Sequence, residues 1–350
     1  MFLLFKKYFL NFLSLFCISC LCTCTTPPAV PANISFYHWK TNLNLQSAEL
    51  NYLDSLQTRK LYLRFFDIDW DFNTNQSIPL ATIEFDQSLP KHLQIVPTLF
   101  ITNRTFLQLT KDKLPNLIDK VHQKITFLAS QFKGHQILEI QIDCDWSAKT
   151  RSIYFEFLTQ LRDKFDKISI STTIRLHQIK YFEQTGIPPV DRGMLMCYNV
   201  GDLEKWESPN SIFDLNIIES YVQNLNAYPL EIDLALPLFS WAVLFREGQM
   251  IRLLNGLNNS DFQDTERFLK VDKNRYEVAK STYLNGQYLY RADALRVETI
   301  DLNELKQALR LLNNKWPSSE RNLVLYHLDS TIIKRYPHEK LQQLLPLFSN

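Results

Sequence analysis

Short apolar runs alternate with amphipathic segments along most of the chain. Eight runs have the length and boundaries of buried strands: Ser35–Trp39, Leu61–Phe66, Gln94–Ile101, Ile137–Asp145, Ile168–Arg175, Gly193–Asn199, Ile232–Trp241 and Leu323–Asp329. Leu, Ile and Phe recur at helical spacing in Asn44–Leu56, Leu114–Phe132, Arg151–Phe165, Ile212–Leu225, Leu302–Leu312 and His338–Leu347. Because strands that alternate with helices pair in parallel through crossovers, the pattern predicts a (β/α)8 TIM barrel. An open doubly wound sheet is the alternative.

The spacing breaks once, between the seventh and eighth runs. Residues 245–300 are polar, rich in tyrosine and only weakly periodic. We interpret them as an insertion between strands seven and eight, on the face where barrels carry their active-site loops. A helix pair that covers the barrel wall is the alternative. The predicted barrel domain spans residues 34–350.

Alternation along the fourth run predicts which side chains enter the barrel, because successive strand residues point to opposite faces. Apolar Ile140, Ile142 and Cys144 should meet the helices. The inward set is then polar: Glu139, Gln141, Asp143 and Asp145. Buried acids need compensating charge, and the same alternation points Arg64 and Arg175 inward. Two hypotheses remain open for these groups, a layer of salt bridges that fills the barrel or a charged pocket that tunes one acid.

The sequence of the first 33 residues is typical of a targeting signal followed by a tether, rather than of a part of the folded domain. Lys6 and Lys7 precede a short apolar run, and four of the six cysteines follow within residues 17–24. Segment 1–24 resembles a bacterial lipoprotein signal, in which one cysteine becomes the lipidated N-terminus. Cys20, after small Ser19, is the first candidate, although Cys17 stands where such signals usually have Leu. Cys24 is the second. An ordinary secretory signal or an uncleaved anchor is the alternative.

Residues 25–33 carry three prolines and no large apolar residue, which favours an extended tether. It would hold the body near a membrane, outside the cytoplasm, in a bacterial cell envelope.

Composition narrows the function classes. The net charge is +1, so the chain lacks the basic surplus of a nucleic-acid binder. Seven glycines and no glycine-rich phosphate loop argue against a nucleotide cofactor, and we expect no cofactor. The two cysteines of the body, Cys144 and Cys197, should be buried free thiols.

Two motifs resemble those of chitinase-like barrels, glycoside hydrolase family 18. That family carries D-x-x-D-x-D-x-E on strand four. Here Asp143, Asp145 and Trp146 match, whereas Ile140 replaces the first Asp and Ser147 replaces the Glu. The family's M-x-Y-D/N on strand six is matched in full by residues 196–199, Met-Cys-Tyr-Asn. The family also ends strand eight with a Trp under the sugar. The eighth run here has none, although Trp241 ends the seventh.

The resemblance implies a substrate-assisted mechanism, in which the Glu protonates the leaving oxygen and the neighbouring Asp orients the substrate's own acetamide. Asp145 would be the orienting acid, and Tyr198 and Asn199 would contact the acetamide. Serine is far too weak an acid to replace the glutamic acid, so the family's chemistry should fail at Ser147.

Weaker candidates lie at other strand ends. Asp67, Asp69 and Asp71 alternate in a pattern that could bind a hard cation, although a solvated loop is the simpler interpretation, and we assign no metal. His327 with Asp329 could form an acid/base pair or be an ordinary hydrogen-bonded histidine. The aromatic residues at strand ends suit either sugar stacking or core packing: Trp70, Trp146, Tyr198 and Trp241.

The sequence therefore predicts a membrane-tethered, glycoside hydrolase-like barrel that binds a glycan. Two interpretations of its activity remain open: cleavage through Asp143 or Asp145 with another proton donor, for instance from the insertion, or catalytically silent binding. A purely structural barrel is a third. The expected substrate contacts are Trp146, Arg175, Tyr198, Asn199, Trp241 and His327.

Overall fold

The computed structural model describes residues 34–85, 88–315 and 321–348. Within them, eight parallel strands form a barrel: β1 Ile34–His38, β2 Lys60–Asp71, β3 Gln94–Ile101, β4 Glu139–Asp143, β5 Ser169–Arg175, β6 Arg192–Met196, β7 Ile232–Pro237 and β8 Leu323–Tyr326. Strand β1 pairs with both β2 and β8, as Phe36 lies opposite Leu61 on one side and Leu325 on the other. The sheet is therefore closed. The predicted TIM barrel is confirmed, and the open sheet is wrong.

Helices follow most of the strands. The α-helices of the described residues are Ser47–Ser55, Asn103–Gln108, Leu114–Ala129, Arg151–Lys164, Leu176–Lys180, Phe182–Thr185, Leu215–Tyr221, Leu302–Asn313, Ser330–Arg335, His338–Gln342 and Leu345–Phe348. Two 3₁₀ turns span Val222–Ala227 and Asn259–Phe262. The end of β2 instead pairs antiparallel with Gln76–Leu80, and Asn42–Leu43 pairs with Glu84–Phe85.

The hydrophobic core lies between the strands and the helices. Apolar residues recur at helical spacing on the inner face of the helices and at every second position of the strands. Helix Leu114–Ala129 buries one stripe, consisting of Leu114, Leu117, Ile118, Val121, Ile125 and Leu128. In β4, Ile140 and Ile142 are fully buried on the helix side, as predicted from alternation. The free cysteines Cys144 and Cys197 are buried as well, which confirms their prediction as small apolar side chains.

The segment between β7 and β8 contains a second sheet of five antiparallel strands, which run in spatial order Gln249–Asn255, Trp241–Arg246, Ala294–Glu298, Arg275–Val278 and Phe268–Asp272. A two-stranded hairpin, Thr282–Leu284 with Gln287–Leu289, lies beside it in sequence. In Trp241–Arg246 the side chains alternate. Ala242 and Leu244 join the insertion's own apolar cluster, whereas Val243 and Phe245 join the barrel core. The insertion is thus sheet rather than a helix pair, and it packs directly on the barrel.

Some predicted features differ or lie elsewhere. The apolar run Ile232–Trp241 is not one strand: β7 ends at Pro237, and Trp241 begins the inserted sheet. The predicted signal segment and tether, with Cys20 and Cys24, lie outside the described residues. None of the helices described is long and apolar enough to cross a membrane.

Candidate functional site

The inward side chains of β4 change partners from one end of the strand to the other. At the start, Glu139 accepts hydrogen bonds from Lys60 Nζ and Ser171 Oγ, both at 2.8 Å. In the middle, Gln141 Oε1 accepts one from the Tyr37 hydroxyl at 2.5 Å. Arg64 does not reach Glu139, so Lys60 supplies the compensating charge there.

Asp143 is the last residue of β4 and is 5% exposed. Its Oδ1 accepts a hydrogen bond from Thr173 Oγ1 at 2.7 Å. Burial disfavours the ionised form and raises the pKa of Asp143 to about 6, even though the positive charge of Arg175 opposes the rise. The folded protein therefore holds a proton on Asp143 more tightly than an exposed aspartate would.

Asp145 lies just beyond the strand and faces Arg175 from the end of β5. Arg175 Nε donates to Oδ1 at 2.5 Å, and Nη2 donates to Oδ2 at 3.1 Å. The two-pronged geometry fixes the carboxylate, while the Asp145 side chain remains 47% exposed. Asp145 is therefore oriented and accessible, but it is already engaged with a cation.

A second ion pair forms at the upper part of β2. The pairing of β2 with β3 shifts register between Arg64 and Phe66, as at a β-bulge, which changes the alternation of side chains. Arg64 therefore pairs with Asp67, with Nε donating to Oδ1 at 2.8 Å. The sequence predicted that Arg64 would point inward toward the acids of the fourth run, whereas its partner lies on its own strand.

Aromatic side chains lie between these charged groups. We call the following set the aromatic floor: Trp39, Tyr198, Phe239, Trp241 and Tyr326. Tyr198 lies 5.5 Å from Tyr326 and 5.8 Å from Phe239, and Phe239 lies 5.2 Å from Trp241, measured between ring centroids. Trp39 lies 5.8 Å from Tyr326. The Tyr198 ring lines the cleft, and its buried hydroxyl has no hydrogen-bond partner in the described residues.

These residues line one cleft of about 920 Å³ at the C-terminal ends of the barrel strands. Of the predicted site residues it contains Asp143, Asp145, Arg175, Tyr198, Asn199, Trp241 and His327. A smaller side pocket of about 380 Å³ adjoins it beyond Arg175 and is lined by Leu176, His177 and Tyr221. The larger volume is that of a site for a drug-sized ligand.

The strand-six motif contributes through the loop that follows β6. Met196 ends the strand, and Tyr198 and Asn199 come directly after it. Asn199 adopts a left-handed φ of 55°, which asparagine tolerates better than most residues, and its N–H donates to the Ile212 carbonyl at 2.8 Å. This turn places both side chains at the cleft.

Two residues of the strand-four motif lie elsewhere. Trp146 is buried, donates from Nε1 to the Thr185 carbonyl at 3.0 Å and stacks on Tyr154. Ser147 forms a turn in which its N–H donates to Thr150 Oγ1 at 2.9 Å. Neither lines the cleft, because the strand ends at Asp143 and strict alternation ends with it. The expected substrate contact by Trp146 is thus replaced by core packing.

Trp241 reaches the cleft from the inserted sheet and is held by Glu298. The Glu298 Oε2 atom accepts from Trp241 Nε1 at 2.7 Å and from Ser211 N at 2.9 Å, and Oε1 accepts from Arg296 Nε at 2.6 Å. Arg296 and Glu298 are fully buried. We call these four residues the Glu298 network. It joins the insertion to the loop after β6.

The weaker candidates have separate partners. Asp69 accepts from Thr102 Oγ1 at 2.7 Å and pairs with Arg104, and Asp71 accepts from Asn73 N at 2.9 Å. Asp67, Asp69 and Asp71 thus do not converge on one point, and no metal-holding group of His, Cys, Asp and Glu occurs in the described residues.

His327 and Asp329 do not form a pair. Asp329 accepts from Thr331 N at 2.7 Å and pairs with Lys40. The buried His327 Nδ1 has no partner among the described residues, and burial lowers the pKa of His327 to about 4. His327 is therefore neutral at neutral pH.

Sequence reasoning missed Trp39, Phe239, Tyr326 and Arg335 as cleft residues. Tyr326 ends β8, where the eighth run was searched for a tryptophan, so its position was a usable signal. Phe239 lies in the predicted run Ile232–Trp241 but beyond the end of β7, and Arg335 ends helix Ser330–Arg335, so alternation marked neither as a cleft residue.

Comparison with known proteins supports the fold. The crystal structure of the Bacillus cereus spore cortex-lytic enzyme SleL matches with a TM-score of 0.56 at 12% identity, covering 91% of this chain and 74% of that one. A chitinase from Chromobacterium violaceum matches at 0.54 and 11%, covering 89% and 98%. A class V chitinase from Nicotiana tobaccum gives 0.54 and 11%, covering 90% and 98%. At such identities the likeness shows the fold alone.

No family model and no curated protein sequence matches the chain. The comparison with solved structures thus confirms the predicted TIM-barrel fold.

Proposed function

We propose that this protein binds an N-acetylated glycan in the cleft at the C-terminal ends of the barrel strands. The observation that carries the proposal is the aromatic floor around Tyr198, which lines the same cleft as the oriented Asp145 carboxylate. Aromatic faces suit sugar rings, and a few fixed polar groups set the orientation of a ligand. A class V chitinase of the same fold was solved in complex with NAG4, which supports an oligosaccharide as the ligand here.

We further propose that binding proceeds without efficient hydrolysis. Asp145 is engaged by Arg175, Asp67 is engaged by Arg64, and Ser147 supplies no acid. Among the described residues, the insertion contributes no carboxylate to the cleft, so the proton donor expected from it is missing. Hydrolysis is the second candidate function, and the raised pKa of Asp143 favours it, because an acid with a pKa of about 6 can donate a proton near neutral pH.

The test combines binding and turnover measurements on the full-length chain. We expect N-acetylglucosamine oligomers to bind and chromogenic glycosides to remain uncleaved. Tyr326→Ala should abolish binding, whereas Tyr283→Ala, an exposed tyrosine of the insertion outside the cleft, should leave it unchanged. Cleavage that Asp143→Asn removes would establish the hydrolase instead. The absence of binding to any glycan would leave the structural interpretation.

The proposed location is the bacterial cell envelope, with a lipid anchor at Cys20 or Cys24 and the barrel outside the cytoplasm. The support is the basic start, the short apolar run and the cysteine cluster of residues 1–24. Membrane fractionation and intact mass of Cys20→Ser and Cys24→Ser variants test it. If neither substitution alters acylation or release, the anchor assignment is wrong.

A further inference from the structure

We propose that the cleft contains a subsite for a carboxylate carried by the glycan, formed by Arg335 and Lys334. This inference rests on the proposed glycan binding and narrows its ligand to a sugar acid. The carboxylate is either part of the ring, as in a uronic acid, or part of an ether substituent, as in N-acetylmuramic acid.

Elsewhere around the cleft, three cations are paired with acids: Arg64 with Asp67, Arg175 with Asp145, and Lys40 with Asp329. Arg335 and Lys334 also line the cleft, yet neither forms an ion pair with any residue that the structure describes. They are consecutive residues at the end of helix Ser330–Arg335. Their two positive charges therefore remain uncompensated on one side of the cleft.

Neutral oxygens hold the Arg335 guanidinium in place. Its Nη1 donates to Ser240 Oγ at 2.6 Å, and its Nη2 donates to the Leu238 carbonyl. The buried Nε has no acceptor in the described residues. A guanidinium that is already positioned and lacks a carboxylate partner loses little entropy when it binds one.

The surroundings favour an anion attached to a sugar. Ser240, which anchors Arg335, directly precedes Trp241, so the residue that holds the charged group is followed by an aromatic residue of the cleft. The insertion adds neutral polar side chains to the same cleft, namely Asn255, Asn258 and Ser260. A sugar on the aromatic floor could direct an acidic substituent toward Arg335 without meeting another acid from the insertion.

The experiment compares three oligosaccharides of equal length on the full-length chain. One is a neutral N-acetylglucosamine oligomer, one alternates N-acetylglucosamine with N-acetylmuramic acid, and one is an oligouronate. At low salt we expect at least one acidic ligand to bind about tenfold more tightly than the neutral oligomer, the scale of one charge-assisted hydrogen bond. Which acidic ligand binds identifies the source of the carboxylate.

Variants assign the preference to the two side chains. Arg335→Gln should remove the preference, measured as the ratio of acidic to neutral affinity within the same variant, and Arg335→Lys should restore part of it. Because Arg335 also contacts Ser240 and Leu238, Lys334→Gln provides a second variant without those bonds. It should weaken acidic ligands about twofold, as an exposed charge does. Lys340→Gln, a cation outside the cleft, is the matched control.

The outcomes separate this inference from the proposed function. Equal binding of neutral and acidic oligomers, or a preference that survives both Arg335→Gln and Lys334→Gln, overturns the subsite and leaves glycan binding intact. If no oligomer binds, both proposals fail.

Discussion

The interior of the barrel uses charged residues differently at its two ends. At the N-terminal ends of the strands, Lys60 pairs with Glu139 and Arg192 pairs with Asp233, at 2.8 and 3.0 Å. Asn322 donates two further hydrogen bonds to Asp233. At the C-terminal ends, Asp145 is held by Arg175 but remains half exposed at the cleft. Glu139 at the start of β4 thus serves stability, whereas Asp145, just beyond the end of β4, is available for recognition.

This contrast teaches that alternation alone does not distinguish the two roles. It sends Glu139, Gln141 and Asp143 to the same face with equal regularity. Access to solvent and the nature of the partner make the difference, and both come from neighbouring strands. We call the N-terminal ends of the strands the lower level of the barrel and their C-terminal ends the upper level. Substitutions at the two levels should therefore separate effects on stability from effects on binding.

Glu139→Ala should give the largest effect, at the lower level. The change removes two hydrogen bonds and leaves Lys60 without its partner, so we expect the free energy of unfolding to fall by about 2–3 kcal/mol. Urea denaturation measures it. Glycan affinity of the folded protein should be unchanged, and a large loss of affinity would contradict the division between levels.

Asp145→Ala tests the upper level. We expect glycan binding to weaken by about 1–3 kcal/mol, the scale of a lost hydrogen bond to a charged group, while stability changes by less than about 1 kcal/mol because the pair is partly exposed. Titration calorimetry and urea denaturation on the same samples give both values. Asp69→Ala, which breaks an ion pair outside the cleft, is the control; if it weakens binding equally, Asp145 is not a specific contact.

Asp143 lies between the two levels and should make stability depend on pH. Its folded pKa of about 6 exceeds the value near 4 of an unfolded aspartate. The folded state thus binds the proton more tightly, and this stabilisation is complete below pH 4 and lost as the pH rises through 6. Between pH 7.5 and pH 5 the wild type should gain about 1 kcal/mol relative to Asp143→Asn. Parallel curves for both proteins would refute the raised pKa.

Three hydroxyl deletions give the smallest and most closely matched comparison. Tyr37→Phe removes the bond to Gln141 and should lower the free energy of unfolding by about 1 kcal/mol. Tyr198→Phe removes an unpartnered hydroxyl, so stability should hold or rise slightly, whereas glycan binding weakens by about 0.5–1.5 kcal/mol. Tyr62→Phe, whose buried hydroxyl also lacks a partner but does not line the cleft, should change neither. Equal effects of the three substitutions on stability and on glycan affinity would contradict the different roles assigned to the three hydroxyls.

Much of the barrel could be predicted because its determinants are local. Period-two alternation and helical spacing are readable in any strand or helix, and they gave β3 its bounds of Gln94–Ile101. The inward direction of Asp143 followed in the same way. The pairing of Arg64 did not, because a register shift between neighbouring strands has no signature in a single strand.

The predictions for site residues that were wrong concern residues at or beyond the ends of strands. The continuous apolar run through Trp241 concealed a change of sheet after Pro237, since both sheets bury the same residue types. Trp146 lies beyond the end of β4, and the turn around Ser147 and Thr150 carries it into the core. Loop conformation depends on such tertiary contacts, so the floor residue Phe239 and the cation Arg335 required the structure.

The Glu298 network also constrains how the cleft can diversify. Because one carboxylate holds Trp241, Ser211 and Arg296, and Arg296 in turn donates to the Leu203 carbonyl at 3.3 Å, the inserted sheet is not an exchangeable appendage. Replacing it with a short loop would release the β6 loop that carries Asn199. Substitutions at surface positions of the insertion, such as Asn255, Asn258 and Ser260, can therefore change which ligand the cleft prefers. The length of the insertion and its junction with the barrel cannot be changed independently of each other.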